Sequence, residues 1–504
     1  MELNREACYR AVMTRDARFD GRFYTAVVTT GVYCRPICPA PTPKLENCIF
    51  FPSAAAAHEA GFRPCLRCRP EIAPGLAGWR GDSPMVLRAL DLIVGGELES
   101  GTVESLAGRL GITARHLRRL FDQHLGASPI AVAQAHRVLF AKQLITETSM
   151  SMTEVAFASG FGSIRRFNHV MQRVYGRPPR ELRRLTALGR QAGDMGITLR
   201  LALRPPFNWP AMLSFLGPRA IPGVELVDGG CYRRTIAVDG VRGVAEVRPG
   251  PDEDCLHVTI RVSRVGPLAS VVGRLRRLFD LDADVVSIES HLSRDPRLAP
   301  RVREHPGLRP PGAWDGFELA VRAILGQQVS VTAATTLVGR VVAAYGDRFA
   351  EADESGGDAR LQFLFPRPEA LAAADLSHIG IPYARAQAIS KLAQAVVEDE
   401  DLLEPAGDAG SLEQKIARLR ALPGIGDWTA QYIAMRALGE PDAFPWTDLG
   451  LARAMSEGGG RPTPAQLLKA AENWRPWRAY AAMHLWMTGT VNAGERRQTD
   501  GSPD

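Results

Sequence analysis

The sequence predicts a multidomain fold in four parts: a small α+β segment, an all-α segment, a second α+β segment and a larger all-α segment. Three observations predict it. The chain has 504 residues, and at about 150 residues per domain that length asks for roughly three to four units. Six of the eight cysteines fall within residues 1–75, among short runs punctuated by Gly and Pro. Beyond them the hydrophobic period is helical, then strand-like, then helical again.

Composition narrows the classes. Hydrophobic residues make up 45% and charged residues 23%, as in globular proteins, which excludes a wholly disordered, collagenous or coiled-coil chain. No window approaches the ~20 consecutive apolar residues of a membrane span. The N-terminus, MELNREACYR, lacks the apolar run of a secretory signal, so a cytoplasmic location and no membrane partner are expected. The net charge of +6 is uneven: residues 1–190 hold 26 basic and 16 acidic side chains, net +10, and the rest hold 35 and 39, net −4. A basic first part points to a polyanion. With 56 Arg against five Lys, the same charge fits the composition bias of a GC-rich genome, and charge alone leaves both open.

The first segment, 1–78, is organised by Cys34-x3-Cys38, a gap of 26 residues, and Cys65-x2-Cys68. Two close pairs in a reducing compartment read as one four-cysteine Zn²⁺ site. Each short spacer lets a pair grip one edge of a tetrahedron, and such sites are most often structural. The surrounding residues add a second reading. Thr29-Thr-Gly-Val-Tyr-Cys-Arg-Pro-Ile-Cys-Pro and Ala60-Gly-Phe-Arg-Pro-Cys-Leu-Arg-Cys-Arg-Pro closely resemble the N-terminal domain of the Ada family, which repairs methylphosphotriesters in DNA. The resemblance implies that Cys34 is both zinc ligand and methyl acceptor, since zinc keeps the sulfur as the nucleophilic thiolate. It also implies a switch: methylation takes the site from −2 to −1 and relieves repulsion from the phosphate backbone. Thr30, Arg63 and Arg67 match DNA-contacting positions of the family, whereas Pro39 and Pro41 replace basic ones. Cys8 and Cys48 match no ligand position and are expected to be buried.

A break at Pro74-Gly75 and Gly78–Gly81 precedes the second segment, 84–188. Two similar stretches, Glu104–Phe121 and Thr153–Val170, each place an apolar helix, a Gly (Gly111, Gly160) and a helix rich in Arg and His. That is the helix-turn-helix order, with the second helix suited to the major groove. The tandem ending in Tyr175-Gly-Arg-Pro-Pro-Arg-Glu-Leu-Arg resembles the AraC-type regulator domain. The candidate contacts are Arg115, His116, Arg118 and Arg119, then Ser163, Arg165, Arg166 and Asn168. Leu117, Leu120, Phe121, Ile164, Phe167 and Val170 are core by spacing. Promoter DNA, and RNA polymerase beside it, are the partners the resemblance implies.

Gly189–Gly196 reads as a linker. In the third segment, 196–308, Arg234–Asp239 and Leu256–Val262 alternate as strands between Gly, Pro and Asp turns. The fourth, 312–492, is helical, broken by a polar stretch at 351–358 that reads as a mobile loop; the last dozen residues read as disordered. Its most informative string is Leu422-Pro-Gly-Ile-Gly-Asp-Trp-Thr-Ala-Gln-Tyr, a tight hairpin whose backbone N–H groups at Gly424 and Gly426 can meet a phosphate. Phe444-Pro-Trp-Thr-Asp-Leu-Gly follows and sets Asp448 some 20 residues after Trp428. The arrangement resembles the helix-hairpin-helix glycosylases with a Gly/Pro-rich loop and an essential Asp, and within them the AlkA-type 3-methyladenine DNA glycosylases. Leu199–Trp209, Ala323–Ser330 and Trp474–Trp486 match further family segments.

That resemblance implies that Asp448 stabilises the oxocarbenium ion and helps activate water on a nucleotide flipped out of the duplex. It implies a base pocket of Trp428, Tyr432, Trp486 and Phe215, whose rings attract a cationic alkylated purine; Trp474 and Trp477 are expected to be core. Relatives that also cut the strand carry a Schiff-base Lys at position 428, and a Trp there implies base release by hydrolysis alone. Carbonyls of Arg420, Leu422 and Ile425 match a monovalent-cation site. No Cys follows Cys255, so no iron–sulfur cluster is expected. Gln328 stands where the enterobacterial-type enzyme inserts an apolar Leu into the base stack. A Pro-Cys-His-Arg motif is lacking, and with it the O6-methylguanine methyltransferase part of full Ada proteins.

The combined reading is an alkylation-damage response protein: methyl acceptor, transcriptional activator and monofunctional glycosylase acting on double-stranded DNA. The alternative is a damage-sensing regulator whose glycosylase-like half is not catalytic, and a purely structural zinc site stays open beside both.

Overall fold

The computed structural model describes residues 4–73, 83–185, 196–251, 254–349, 358–405, 409–456 and 460–487. The breaks at 74–81 and 189–195, the stretch 351–357 and the C-terminal tail lie outside the described residues. The chain forms two compact units, one of Met1–Arg204, Ile236–Arg276 and Gly407–Ala409, the other of Pro205–Thr235, Arg277–Ala406 and Gly410–Asp504.

In the first unit, α1 (Arg5–Thr14) starts where the Asn4 side chain accepts from Ala7 N at 3.0 Å. A four-stranded sheet of order β3-β1-β2-β4 follows, built from β1 (Tyr24–Val27), β2 (Val32–Cys34), β3 (Cys48–Phe51) and β4 (Arg63–Pro64). Strand β1 runs antiparallel to β2, with Thr25 opposite Cys34, and β2 runs parallel to β4, with Tyr33 opposite Pro64. Helix α2 (Ala54–Glu59) lies between β3 and β4, capped by Ser53. Cys8 and Cys48 are buried, as the sequence suggests.

Eight helices continue the unit: α3 (Pro84–Val94), α4 (Glu97–Ser100), α5 (Val103–Arg109), α6 (Ala114–Leu125), α7 (Pro129–Glu147), α8 (Met152–Ala158), α9 (Ile164–Tyr175) and α10 (Pro179–Leu185). Their starts are written in the chain. Thr102 with Ser105 and Ser151 with Glu154 form reciprocal capping boxes, and Thr113 and Ser163 cap the two Arg-rich helices. Leu117, Phe121 and Phe167 are buried as expected. Leu120, Ile164 and Val170 are only half-buried, because the inward stripes continue at four-residue spacing through Leu125 on α6 and through Met171 and Tyr175 on α9.

Helices α2 and α7 share one core, in which Ala55 and Ala56 meet Leu125, Val132 and Ala135. Polar ties reinforce it: Ser53 Oγ donates to Leu125 O at 2.7 Å, and Lys142 Nζ meets Glu71 Oε1 at 3.0 Å with both side chains buried. Strand β5 (Ile197–Ala202) pairs antiparallel with β9 (Cys255–Val262), and β9 with β8 (Val241–Pro249), ahead of α12 (Leu268–Leu278).

The second unit opens with α11 (Trp209–Leu216) and the hairpin of β6 (Glu225–Asp228) with β7 (Cys231–Val238), Glu225 opposite Arg234. Helices α13 (Val285–Leu292), α14 (Ala299–Glu304), α15 (Gly316–Leu325), α16 (Val331–Tyr345), α17 (Pro368–Ala372), α18 (Tyr383–Glu398), α19 (Ala409–Ala421), α20 (Asp427–Arg436), α21 (Leu449–Ala454), α22 (Pro464–Ala471) and α23 (478–487) complete it. Their core gathers Val321, Ile324, Val341, Ile389, Leu392, Leu419 and Ile433. Three buried charged side chains and the half-buried Arg322 lie beside it as matched pairs, Arg234 on Glu318 at 2.7 Å and Arg322 on Glu225 at 2.9 Å. Tyr232 adds a 2.6 Å hydrogen bond to Glu225. Among the described residues, no helix is long and apolar enough to cross a membrane.

Candidate functional site

The cysteine cluster is assembled by strand pairing. Cys34 ends β2, and the parallel partner β4 delivers Cys65 one residue past its end, fixed by a 3.0 Å bond from Cys65 N to Tyr33 O. The turn after β2 returns Cys38, whose N–H donates to Arg35 O at 3.1 Å. The four sulfurs of Cys34, Cys38, Cys65 and Cys68 lie within 4.8 Å of one another. A tetrahedron with metal–sulfur bonds of ~2.3 Å has edges of about 3.8 Å, so the donor set fits Zn²⁺. Backbone N–H groups point at it as well, Arg35 N to Cys68 Sγ at 3.3 Å and Arg67 N to Cys65 Sγ at 3.4 Å. Such donors suit sulfurs that carry negative charge.

Around the cluster, Thr30, Arg63 and Arg67 are exposed, and Arg63 Nη2 reaches Thr30 O at 3.5 Å. Arg35, although adjacent to Cys34 in sequence, faces inward: it is buried, paired with Asp20 and donating to Cys68 O at 3.1 Å. It therefore braces the metal loop from inside.

The helix-turn-helix candidates point outward. Arg115, His116, Arg118 and Arg119 on α6, and Arg165, Arg166 and Asn168 on α9 with its cap Ser163, are all exposed. Arg115, His116, Arg118 and Arg119 line a shallow surface depression with Thr113 and Asp122. Arg118 also pairs with Glu104 on α5 at 2.8 Å.

In the second unit, α19, residues 422–426 and α20 form the expected hairpin. Gly424 has φ +79° and a Cβ there would lie 2.8 Å from Ala388 Cβ, so both backbone sign and packing require glycine. Gly426 is the N-cap of α20 and stands in open space. Gln327 Nε2 bonds Gly424 O and Thr429 Oγ1, each at 2.8 Å, which ties the 326–330 loop to the hairpin. The next residue, Gln328, is exposed and held at φ +54°.

Asp448 is the N-cap of α21, accepting from Leu451 N at 2.8 Å. The same carboxylate accepts from Trp428 Nε1 at 2.8 Å and from Trp486 Nε1 at 3.0 Å. The rings are themselves joined: Trp428 stacks on Tyr432 with centroids 5.1 Å apart and planes 10° apart. Tyr432 and Trp486 lie 6.3 Å apart, Trp486 and Phe215 6.5 Å. The structure thus brings together all four expected ring residues and Asp448. Trp474 is buried and donates to Asp295, away from this group, whereas Trp477 is half-buried against Tyr480.

Three members of this assembly escape the sequence reading. Arg436 is buried and donates to Tyr432 Oη at 2.7 Å. Arg219 lies with its guanidinium carbon 3.9 Å from the Phe215 ring centroid. Gly450 leaves room for the Asp448–Trp486 contact, since a Cβ there would sit 2.9 Å from Asp448 Oδ1. The spacing Trp428, Tyr432, Arg436 is a four-residue stripe on α20, which is the signal that could have flagged Arg436. Burial pushes the Tyr432 phenol up, but the charges of Arg436 and Arg219 outweigh it and hold the group below the ordinary tyrosine range.

Four family models match along the chain. They are the metal binding domain of Ada at 7–71, a helix-turn-helix domain at 106–185, the AlkA N-terminal domain at 198–315 and the HhH-GPD superfamily base excision DNA repair protein at 321–478. A probable bifunctional transcriptional activator/DNA repair enzyme AlkA from Mycobacterium tuberculosis is 43% identical over 488 residues, 96% of each chain. The DNA-3-methyladenine glycosylase 2 of Escherichia coli (strain K12) is 38% identical over 288 residues, 56% of this chain and 95% of that one. A solved 3-methyladenine DNA-glycosylase from Archaeoglobus fulgidus shares the fold, with a TM-score of 0.50 at 23% identity over 58% of this chain and 98% of that chain. Identity at this level along nearly the whole of both chains places the protein in the family of bifunctional Ada–AlkA fusions, in which a metal-binding and helix-turn-helix half precedes an HhH-GPD glycosylase half.

Proposed function

We propose that this chain is an alkylation-damage response protein that accepts methyl groups from DNA methylphosphotriesters, activates transcription, and excises alkylated bases such as 3-methyladenine by hydrolysis. The observation that carries the excision reading is the shared carboxylate: Asp448 is held by the indole N–H groups of two rings of the pocket it serves. A carboxylate and an aromatic pocket built as one object are what departure of a cationic base requires.

In this mechanism a flipped nucleotide enters the ring group. The C1′–N bond breaks and its electron pair leaves with the base. Asp448 stabilises the positive charge that develops on the sugar, water adds to C1′, and the carboxylate takes up the proton. Trp428 offers no amine for an imine, so an abasic site is the product. Gln328 fills the space the nucleotide leaves, and the Gly424–Gly426 backbone meets a phosphate. Carbonyls of Arg420, Leu422 and Ile425 would hold a monovalent cation at the hairpin.

In the first half, Cys34, Cys38, Cys65 and Cys68 would hold Zn²⁺, which would keep their sulfurs as thiolates near neutral pH. Cys34 attacks the methyl carbon of the phosphotriester; the C–O bond breaks, its pair stays on the phosphate, and the thioether remains on the protein. Thr30, Arg63 and Arg67 meet the DNA beside it. Arg115, Arg118, Arg119, Arg165 and Arg166 read the promoter, with RNA polymerase as the further partner, in the cytoplasm. The segments are 1–78, 84–188, 196–308 and 312–492.

The test is base release. The purified chain is incubated with methylated duplex DNA, free bases are resolved by chromatography, and abasic sites are counted by alkaline cleavage. Release without borohydride-trapped adducts is expected. Tight binding with no release would favour the non-catalytic regulator, and a trapped adduct would refute the hydrolytic reading.

A further inference from the structure

The hydroxyl of Tyr432 has a job that ring stacking does not use. A phenol oxygen can accept hydrogen bonds and donate a single proton, whereas a guanidinium only donates. Arg436 Nη1 donates to that oxygen at 2.7 Å. Its guanidinium cannot turn away, because Nε is bound to Pro311 O at 2.8 Å and Nη2 to Gly312 O at 3.1 Å. The phenol proton therefore has to point elsewhere, and among the described residues no acceptor takes it. Tyr432 is meanwhile stacked on Trp428, whose indole holds Asp448. A donor aimed away from Arg436 thus sits within the ring group that would receive the base.

We propose that Tyr432 is a catalytic residue whose hydroxyl, occupied on its acceptor side by Arg436, donates to the departing base and serves bases that leave without a positive charge of their own. The proposal rests on the base-excision reading above and adds a specificity to it. A methylated cationic purine departs neutral and needs no proton. A neutral base takes the electron pair of the C1′–N bond and departs as an anion unless a donor meets it. Here the Tyr432 proton moves toward a ring nitrogen or carbonyl oxygen of the base, and the charge left on the phenol oxygen faces Arg436. After release, water returns the proton.

Arg219 supports the same step. It is anchored by a 2.8 Å bond from Nη1 to Phe215 O, and its backbone carbonyl accepts from the half-buried Arg322. A second fixed positive charge there stabilises negative charge on Tyr432 and does nothing to attract a cationic base. Two guanidinium groups behind an aromatic pocket suit a leaving group that becomes negative.

The experiment uses the full chain and two duplexes, one carrying 7-methylguanine as the cationic probe and one carrying hypoxanthine as the neutral probe, with single-turnover release measured on each. Tyr432→Phe keeps the ring and removes the donor. It should slow hypoxanthine release by about 10²-fold, the usual effect of losing one donor to developing charge, and the ratio of hypoxanthine to 7-methylguanine release should fall at least about tenfold. Arg219→Gln leaves the phenol and Arg436 in place, and should lower the ratio of hypoxanthine to 7-methylguanine release several-fold. Equal losses on both probes, or a larger loss on the cationic one, would overturn the proposal, as would a wild type that releases 7-methylguanine but no hypoxanthine. A wild type that releases neither base overturns the excision reading itself.

Discussion

The indole N–H of Trp428 donates to Oδ2 of Asp448 at 2.8 Å across 20 residues of chain. One side chain is the proposed pocket wall and the other the proposed charge stabiliser, so the position of the carboxylate depends on the position of that ring. Trp486 repeats the arrangement on Oδ1, where the Leu451 N–H also binds. Three donors and no flexible partner leave the carboxylate one orientation.

Removing the charge and removing the support should differ. Asp448→Asn brings an amide N–H₂ toward indole N–H groups and deletes the charge, and base release should become undetectable while duplex binding persists in gel-shift assays. Trp428→Phe keeps a ring but deletes one bond to a charged group. At about 1.5–3 kcal/mol for such a bond, the single-turnover rate should fall roughly 10–100-fold. Asp448→Asn activity within a few-fold of wild type would remove this residue from the mechanism.

The recognition helices should respond unequally. Arg118 is already paired with Glu104 at 2.8 Å on an exposed surface, and such pairs are worth about 0–1 kcal/mol. Reaching DNA means giving that contact up. Arg119→Ala should therefore weaken promoter binding more than Arg118→Ala, and each Arg that meets a phosphate should lower the salt slope by about one on removal. Footprints unaffected by Arg119→Ala and Arg166→Ala together would place promoter reading elsewhere.

At the metal centre, exposure to methylphosphotriester DNA should add one methyl group to the peptide containing Cys34, and Cys34→Ser should take none. The gain in DNA affinity that follows should shrink as salt is raised, since part of it is relieved repulsion. Peptide mass spectrometry that finds the methyl on Cys38, Cys65 or Cys68 would reassign the acceptor.

Acid stability should depend on the half-buried imidazole of His136. Burial, aided by Arg137, pushes His136 down to about 4 from 6.5. The folded state refuses a proton that the unfolded chain accepts, so this contribution is complete above pH 6.5 and is lost as pH falls toward 4. Linkage sets it at roughly 3 kcal/mol. Denaturant unfolding of wild type should lose that much more than His136→Gln between those pH values, and parallel curves would refute it.

Much of this was legible in the chain because local chemistry dictated it. Cysteine spacing, capping residues before the Arg-rich helices and the Gly/Pro hairpin each specify structure within a few residues. Leu120 packs at the edge of the core, and Ile164 and Val170 are half-buried, because neighbours of a buried stripe share its apolar character without its full geometry. Arg219, Arg436 and Gly450 were invisible for a different reason. Their partners, Phe215, Tyr432 and Trp486, are brought to them by tertiary packing, and nothing in an isolated Arg or Gly announces the contact.

The Lys142–Glu71 pair carries a consequence for how such chains are inherited. Both side chains are almost fully enclosed, at 2% and 1% exposure, and stripping one partner from a buried pair costs about 3–5 kcal/mol. The methyl-accepting segment and the helix-turn-helix segment look like separate beads in sequence, yet a recombination event that parted them would strand the Lys142 charge and leave Glu71 with Arg69 alone. Evolution can shuffle these two only as a pair, and a swapped-in neighbour would have to arrive with its own complement to Glu71.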